Sequence, residues 1–318
     1  MNARSETRPD AALIAALEEA SIHPLWDRYK RITPVAPRAK DAPMHWRWRD
    51  IEPFAARAAS EVGIEDVERR ALILANPAFG GDTVTTQNLI GAFTVLEPGD
   101  KAVPHRHTAA AIRFSTRAEG AVTIVNGRRC EMKEGDLVLT PPMCWHGHIN
   151  QSDRRTVWFD AANMPVVCAL DASFFEPGTR ADERFWEVGD AGAEEYRFPG
   201  EAMRRELERA PVGPDGARTV RYTRNGGSVM STLDLYRMQV SGRTRLRRTT
   251  HNAICLVVAG EGRSSVGDES FEWSRHDVFT VPHWTWASHE ARGGSADLLV
   301  VTDRAIYERL ELLREEIQ

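Results

Sequence analysis

Short runs of apolar and β-branched residues, each closed by glycine, proline, asparagine or charged residues, dominate the chain from about residue 69 onward. Runs such as IGAFTVLEP, AAAIRFSTR and DLVLTPP have the length of strands, and the residues that close them favour turns. A second series follows in the C-terminal half, including STLDLYRMQV and NAICLVVAGEG. The pattern predicts an all-β protein built from short antiparallel strands.

Helical periodicity is confined to the two ends of the chain. Residues 10–31 repeat apolar side chains at helical spacing, and a Pro- and Trp-rich stretch, residues 34–50, follows as an irregular packed arm. The final segment, DRAIYERLELLREEIQ, predicts a C-terminal helix with Asp303 as its N-cap.

The two strand-rich blocks resemble each other. AEGAVTIVNGRRCEMKEGDLVLTPPMCWHGH aligns with GEGRSSVGDESFEWSRHDVFTVPHWTWASH, so that Trp145 matches Trp286 and Pro141 matches Pro282. An internal duplication explains this match and predicts two copies of one fold unit. We therefore expect five segments: an N-terminal helical and irregular arm (1–66), a first unit (67–168), a linker (169–228), a second unit (229–302) and a C-terminal helix (303–318).

Composition narrows the classes of protein to consider. The 318 residues are 42% hydrophobic and 27% charged, as in ordinary globular proteins, and the net charge of −5 argues against a nucleic-acid partner. No apolar run reaches the length of a signal-peptide core or a bilayer span, so we expect a cytoplasmic protein without a membrane partner. The four cysteines show no CxxC pairing, which predicts reduced, mostly buried thiols.

Histidines supply the candidate chemistry. His105 and His107 lie one residue apart in VPHRHTAAAIRF, and would share one face with Arg113 if the whole stretch were a strand. His146 follows the strand DLVLTPP, and a neighbouring antiparallel strand can bring it to the same point. An isolated HxH pair is usually an exposed or hydrogen-bonded pair. Three converging imidazoles would instead bind a borderline divalent metal and leave one side open.

The spacing of glycine, proline and asparagine around these histidines favours a metal site over an isolated, hydrogen-bonded pair. It matches the two motifs G-x5-H-x-H…G and G-x5-P-x-G-x2-H-x3-N, except that Met143 replaces the internal glycine. The matching residues are Gly99, His105, His107, Gly120, Gly135, Pro141, His146 and Asn150. The chain thus resembles the cupin family, which implies two antiparallel β-barrels of the double-stranded β-helix type, a bicupin.

The carboxylate ligand of many cupins is missing, because no acidic residue lies between His107 and Glu119. An all-histidine centre leaves the charge of the metal uncompensated and favours an anionic, chelating substrate. In the second unit the ligand positions hold Thr249, His251 and Ala287. We therefore expect that unit to be structural and metal-free, with His276 and His283 as surface or turn residues.

Three stretches, HRHTAAAIRF, TPPMCWHGH and ERRALILANPAFG, resemble the gentisate, salicylate and 1-hydroxy-2-naphthoate dioxygenases among the bicupins. The resemblance implies one Fe(II) per chain, held by His105, His107 and His146 in the first unit. It implies an aromatic acid with an ortho hydroxyl as substrate, and O2, both of whose atoms enter the product as the ring opens between the two substituted carbons. It also implies a homotetramer or homodimer.

The same resemblance assigns roles to pocket residues by position. Arg113 binds the substrate carboxylate, His148 contacts the substrate and acts in catalysis, and Arg70 lines the pocket, with its neighbour Arg69 as the alternative. The walls of the pocket are assigned to Ile90, Ala92 and Thr94. Relatives often carry an aromatic residue and glutamine at the first and last of these positions, so 5-substituted salicylates join gentisate as candidate substrates.

Two other functions remain open at this point. One is a metal cupin of another reaction class, such as a zinc or manganese isomerase or a thiol dioxygenase. The isomerases normally keep the glutamate, however, and the thiol dioxygenases are usually single cupins. The other is a non-catalytic bicupin that stores or binds a ligand; such proteins tend to lose ligands in both units, whereas this chain keeps a full set in one.

Overall fold

A computed structural model describes residues 10–179, 189–224 and 226–318. The chain divides into two units, one up to Arg38 and one from Ala39 to Gln318. In the smaller unit the predicted helical span is two helices. The first ends at Glu19, Ser21 takes a left-handed φ of 58°, and Pro24 immediately precedes the second helix. Trp26 Nε1 donates a hydrogen bond to the carboxylate of Asp10 at 3.0 Å.

The larger unit contains the strands and the other helices. The helices of the described chain are α1 (Ala11–Glu19), α2 (Leu25–Ile32), α3 (Trp48–Glu61), α4 (Met164–Ala169), α5 (Gly200–Arg209) and α6 (Arg304–Arg309). The strands are β1 (His45–Trp46), β2 (Arg70–Ile73), β3 (Ile90–Leu96), β4 (Lys101–His107), β5 (Ala111–Arg117), β6 (Ala121–Val125), β7 (Arg128–Met132), β8 (Leu137–Thr140), β9 (His146–Asn150), β10 (Thr156–Ala162), β11 (Phe175–Pro177), β12 (Arg197–Phe198), β13 (Arg218–Arg221), β14 (Thr223–Arg224), β15 (Gly227–Ser228), β16 (Asp234–Arg243), β17 (Arg247–Thr249), β18 (Ala253–Val266), β19 (Glu269–Trp273), β20 (Val278–Val281), β21 (Ala287–Thr302) and β22 (Glu315–Ile317). The predicted all-β, antiparallel class is confirmed.

Two antiparallel sheets form the first strand-rich block, which we call the first β-unit. One sheet has the order β12-β8-β5-β10-β3-β2, and the other has the order β11-β4-β9-β6-β7. A buried apolar cluster joins the two sheets, with Val138 and Trp158 from one sheet and Val125 and Met132 from the other. The space between the sheets is the interior into which alternate side chains of every strand point.

The six-stranded sheet has one polar and one apolar face. Arg113, Asp160 and Ala92 are directly opposite one another on β5, β10 and β3, so they form one row on the face toward the interior. The next row, with Phe93 and Phe159, points the other way, because the side chains of a strand alternate. The alternation therefore places a buried arginine and a buried aromatic core on opposite faces of the same sheet.

A nine-stranded sheet with β1, β13 and β16–β22 forms what we call the second β-unit. The apolar face of the six-stranded sheet packs on this unit, in one buried cluster that joins Phe93 and Phe159 to Ile254, Leu256 and Leu299. The second β-unit therefore buries the side of the sheet opposite Arg113.

The C-terminal segment differs from the single helix predicted for it. Helix α6 ends at Arg309, Glu311 takes a left-handed φ of 58°, and β22 pairs with β17. Asp303 precedes the helix but makes no side-chain cap bond. Its carboxylate instead accepts hydrogen bonds from Asn252 and Asn88, the backbone N–H of Asn252 at 2.7 Å among them. These tertiary donors occupy the acceptor that a cap would need.

The structure also bears on the expectations for the linker, for His276, for the cysteines and for membrane-spanning segments. The described parts of the predicted linker contain α5 and strands that pair with both β-units, namely β12 with β8 and β13 with β16. His276 lies in a turn, with a φ of 70°, and is buried rather than on the surface. The cysteines are free thiols, with Cys130 and Cys255 buried and Cys168 exposed. No helix among the described residues is long and apolar enough to span a membrane.

Because the two β-units share one core, a substitution in that core should lower the free energy of unfolding. Phe93 is fully buried, with ring centroids 4.9 Å from Trp48 and 5.5 Å from Phe159. Phe93→Ala should lower the free energy of unfolding by about 3–5 kcal/mol, because it removes an aromatic ring and leaves a cavity. Urea denaturation measures this as a lower midpoint. Phe54→Ala, at an exposed position of α3, is the control and should change the midpoint little; equal losses would contradict the shared core.

Candidate metal centre

The stretch VPHRHTAAAIRF forms two strands rather than one. β4 ends at His107 and β5 begins at Ala111, and the two strands belong to different sheets. The expectation that Arg113 shares a strand face with the histidines is therefore wrong. The arginine still faces the interior, because its own sheet lies on the other side of the space that the histidines line.

His105, His107 and His146 come together as the sequence spacing predicts. His105 lies directly opposite His146 where β4 pairs with β9. One ring nitrogen from each residue lies within 4.8 Å of the others, and all three side chains are buried. The ring centroid of His146 is 4.3 Å from that of His105 and 4.8 Å from that of His107.

Hydrogen bonds to the backbone set the tautomer of each ring. In each case Nδ1 lies 2.9 Å from a carbonyl oxygen, that of Val103 for His105, of Ala109 for His107 and of Cys144 for His146. A carbonyl oxygen only accepts, so Nδ1 carries the proton and Nε2 presents a lone pair.

These lone pairs fit a metal ion. The Nε2 atoms of His105 and His146 are buried without a hydrogen-bond partner, an arrangement that costs free energy unless something occupies the space between them. Three neutral imidazoles whose outer nitrogens are fixed by carbonyls are the usual way in which histidines bind divalent metals. The donor set is thus suited to a borderline divalent cation.

The electrostatics keep the rings neutral. Burial, followed by the positive charges of nearby arginines, lowers the pKa of His105 and of His107 to about 4. The same causes lower the pKa of His146 well below its ordinary value. Because a metal binds only the deprotonated imidazole, protons do not compete with a cation here at neutral pH.

A left-handed turn supports the second ligand. Met143 has a φ of 59°, the conformation that the glycine usual at this motif position adopts readily, and its N–H donates to the carbonyl of His107 at 2.8 Å. In the second β-unit Trp284 has a φ of 53°, and its N–H donates to the carbonyl of Thr249. The repeated turn therefore places Thr249, and not the expected His251, at the position of His107. Arg247 lies opposite Ala287 as His105 lies opposite His146, so Arg247, and not the expected Thr249, takes the position of His105.

Arg113 is a buried cation within reach of the centre. Its Nη1 donates to Thr140 Oγ1 at 2.8 Å, and its Nε lies 3.5 Å from Asp160 Oδ1 without a hydrogen bond. Burial lowers the pKa of Arg113 to about 10, while Asp160 acts in the opposite direction. The guanidinium therefore keeps its charge at neutral pH and can bind an anion beside the histidines.

Asp160 is a polar residue of the interior that sequence reasoning missed. Its carboxylate accepts hydrogen bonds from Trp158 Nε1 at 3.0 Å and from the hydroxyl of Thr94. The signal in the sequence is a single acid inside the apolar run TVWFDAA. The strand register places it beside Arg113, where it orients the guanidinium.

Ile90, Ala92 and Thr94 occupy alternate positions of β3, as the expected pocket walls require. Ala92 and Thr94 are buried, and Ile90 is half-buried at the start of the strand. Ala92 lies directly opposite Asp160. The three side chains therefore lie on the face that carries Arg113.

Arg69 and Arg70, at the start of β2, point to different sides. The sequence analysis assigned Arg70 to the pocket, with Arg69 as the alternative. Arg70 is turned away from the centre, since its Nε donates to the carbonyl of Val62 at 2.6 Å and its Nη1 pairs with Asp100. Arg69 is the arginine whose charge lowers the pKa of His105, His107 and His148. The geometry thus favours Arg69 at the centre, because adjacent residues of an extended chain point to opposite sides.

His148 lies two residues beyond His146 on the same strand face. Its ring is buried, with Nδ1 2.9 Å from Thr123 Oγ1 and Nε2 without a partner. Burial, with the charge of Arg113 next, lowers its pKa well below the ordinary value. The structure therefore holds a neutral fourth imidazole next to the three-histidine cluster, 6.1 Å from His146 between ring centroids.

Comparisons with known proteins agree with this architecture. Residues 92–162 match the cupin domain family. The chain is 33% identical to gentisate 1,2-dioxygenase of Streptomyces sp, over 95% of this chain and 94% of that protein. It is 31% identical to 5-aminosalicylate 1,2-dioxygenase of Comamonas sp, over 99% and 92%.

A solved structure extends the likeness to the whole fold. The salicylate 1,2-dioxygenase of Pseudoaminobacter salicylatoxidans, in a crystal structure with gentisate, has a TM-score of 0.88 and 30% sequence identity. The match covers 99% of this chain and 96% of that one. With sequence, fold and the three-histidine cluster in agreement, the chain belongs to the cupin family of gentisate and salicylate 1,2-dioxygenases.

Proposed function

We propose that this enzyme uses one Fe(II) per chain, held by His105, His107 and His146, to cleave the ring of an ortho-hydroxy benzoate with O2. The observation that carries the proposal is the set of converging Nε2 lone pairs beside two cationic side chains. Such a centre matches a substrate that is both a chelator and an anion.

The overall reaction balances without another reactant. The carbon–carbon bond between the carboxyl- and hydroxyl-bearing ring carbons breaks, and both oxygen atoms enter the product, an open-chain oxo-dicarboxylic acid. A ferrous ion held by His105, His107 and His146 would supply a Lewis acid for the substrate oxygens and the means to activate O2. The chain itself binds, orients and desolvates the substrate and moves its protons.

Arg113 is proposed to bind the substrate carboxylate. Its guanidinium is buried, so an ion pair there is screened little by water. Thr140 and Asp160 hold the group from one side, which reduces the conformational entropy lost on binding. Arg69, whose charge acts on His105 and His107, is proposed to supply the second positive charge.

His148 is proposed to accept the proton of the substrate hydroxyl at Nε2. That atom is buried without a partner, and burial keeps the ring neutral, so its lone pair is available to accept a hydrogen bond from the substrate hydroxyl. Because the lowered pKa disfavours the protonated ring, His148 would relay the proton and not retain it. Thr123 holds the other ring nitrogen and fixes the orientation of the imidazole.

The ring substituents are proposed to meet the wall formed by Ile90, Ala92 and Thr94. Only Thr94 offers a polar group on that wall, and its hydroxyl is engaged by Asp160. This favours salicylates whose 5-substituent needs no dedicated hydrogen-bond partner, alongside gentisate. The names of the relatives, which include a 5-aminosalicylate and a gentisate enzyme, support the same class.

The direct test loads the protein with Fe(II) without O2 and then measures O2 uptake and ultraviolet product spectra. Gentisate, salicylate, 5-aminosalicylate, 5-nitrosalicylate and 1-hydroxy-2-naphthoate form the panel. At least one should consume one O2 per ring opened. His105→Ala should lose both iron and uptake, whereas His251→Ala in the second β-unit should keep both. No uptake with any member of the panel would refute the proposal.

Arg113 can be tested by its selectivity for the carboxylate. Arg113→Gln should raise the anaerobic dissociation constant of salicylate by about 10- to 150-fold, the range for a lost hydrogen bond to a charged group. Binding of catechol, which lacks the carboxylate, should change little. Arg113→Lys retains the positive charge beside Asp160. Its dissociation constant for salicylate should therefore lie between that of the wild type and that of Arg113→Gln. Equal losses for salicylate and catechol would mean that the arginine only supports the fold.

His148 can be separated from the ligands by comparing turnover with iron content. His148→Ala should lower turnover by about 10²- to 10⁴-fold, as expected when a proton-transfer group is lost, and should leave the iron content near one per chain. His289→Ala, at the matching position of the second β-unit, should leave turnover unchanged. If His148→Ala loses iron in proportion to activity, the residue is structural.

A further inference from the structure

The second β-unit has a cavity of its own at the place where the first β-unit has its three histidines. The strand pairs correspond, because Arg247 lies opposite Ala287 as His105 lies opposite His146. The cavity has a volume of about 590 Å³, including its mouth to solvent. Its lining includes Arg247, His251, Cys255, Ala287, His289 and Val300. The degenerate copy has thus lost the metal ligands but keeps a space for a small molecule.

One side of this cavity is apolar where the first β-unit is charged. With the two prolines of the duplication aligned, Cys255 takes the position of Arg113. Its partner on the next strand is Val300, whereas the partner of Arg113 is Asp160. Burial raises the pKa of the Cys255 thiol to about 12, so this group is uncharged. A ligand would therefore place an apolar part on this side.

Arg247 supplies a cation on the other side, at the position of a metal ligand. Its Nη2 donates to Glu315 at 2.5 Å, and its Nη1 lies 3.6 Å from Asp215 Oδ2, so two acids hold the outer end of the guanidinium. Its Nε is buried without a hydrogen-bond partner. A buried N–H without an acceptor costs free energy, which an oxygen atom of a ligand would recover.

His289 keeps the surroundings that His148 has in the first β-unit. Its Nδ1 lies 2.7 Å from Ser264 Oγ, as that of His148 lies 2.9 Å from Thr123 Oγ1. Trp273 Nε1 donates to the same serine oxygen at 2.8 Å, so the proton of the buried hydroxyl is donated to Nδ1 of His289. The Nε2 atom of His289 then carries a proton and is a donor.

His251 provides the complementary acceptor. Its side chain is 8% exposed, and its Nδ1 lies 3.2 Å from the carbonyl oxygen of Asn252, so Nε2 has a lone pair. That atom is buried without a partner. Burial, with the charge of Arg247 next, lowers the pKa of His251 to about 3 and that of His289 to about 4. Both rings are therefore neutral and differ only in which side of a hydrogen bond they offer.

We propose that this cavity binds a small hydroxy acid with an apolar body, without a metal. The carboxylate accepts hydrogen bonds from Arg247 Nε and His289 Nε2, and the hydroxyl donates to His251 Nε2. The apolar body faces Cys255 and Val300. Among the described residues, the group of side chains that could hold a metal ion lies in the first β-unit. The site is separate from the catalytic one and does not depend on the proposed function.

The first arm of the test measures benzoate binding to metal-free protein by isothermal titration calorimetry. Every sample carries Arg113→Gln, which weakens carboxylate binding in the first β-unit. On this background one benzoate should bind per chain, and Arg247→Gln should raise its dissociation constant by about 10- to 150-fold, as for a lost hydrogen bond to a charged group. Arg263→Gln, at an exposed arginine of β18 that pairs with Glu290, is the control and should bind as the background does.

A second variant fills the cavity without changing a charge. Ala287→Leu adds a side chain at the position of His146, where the alanine is buried against the cavity. It should weaken benzoate binding by about 10-fold or more, because the new side chain occupies part of the space. This variant decides the question if Arg247→Gln unfolds through the loss of its two ion pairs.

The second arm tests the hydroxyl by comparing benzoate with its three monohydroxy isomers. At least one isomer should bind the background protein more tightly than benzoate, by about 2- to 10-fold, the range for one added hydrogen bond. His251→Leu removes the acceptor, so this preference should disappear while benzoate binding changes little.

Each outcome decides the proposal. Absence of binding by all four acids overturns it, as does unchanged benzoate affinity in Ala287→Leu. Persistence of the isomer preference in His251→Leu overturns the role of the hydroxyl. Ala287→Leu on the wild-type background should keep the iron and O2 uptake of the first β-unit; a parallel loss would mean that the substitution acts through the fold. Failure of the proposed function is distinguishable, because binding here is measured without metal or O2.

Discussion

Three backbone carbonyls, those of Val103, Ala109 and Cys144, hold the imidazole rings of the metal centre in one tautomer. Each carbonyl takes the Nδ1 proton and turns the Nε2 lone pair toward the common point. Without an ion, the result is a buried group of acceptors that have no donors. The local fold therefore carries a free-energy cost that a bound cation would relieve, and charged side chains surround the pocket.

That organisation depends on the two faces of the six-stranded sheet. One face presents Arg113 and Asp160 to the interior, and the other presents Phe93 and Phe159 to the second β-unit. A guanidinium can remain buried only where its partners are fixed, and the packed aromatic core fixes the strands that carry them. The second β-unit carries Arg247, Thr249 and Ala287 where the first carries its three histidines, yet it supports the site by covering the far side of this sheet.

Charge at the centre is supplied from several parts of the chain. The motif strands contribute neutral rings, β5 and β10 contribute the Arg113–Asp160 pair, and the segment before β2 contributes Arg69 and Glu68. In the proposed function, this division separates the residues that bind the metal from those that bind the anionic substrate. Ile90, Ala92 and Thr94 lie on β3, apart from β4 and β9, which carry the three histidines.

Spacing along the chain was enough to identify the all-β class, the duplication and the cluster of three histidines, because motif glycines and prolines set turns and a period of two sets strand faces. It also placed Ile90, Ala92 and Thr94 on one face. Contacts between distant segments were decided only by the tertiary structure. The break after His107 moved Arg113 to the facing sheet, and the hydrogen bonds of Arg70 to Val62 and Asp100 turned that arginine away from the histidines. A side-chain period describes one strand at a time, whereas the charges that meet at this centre come from strands whose pairing no local pattern encodes.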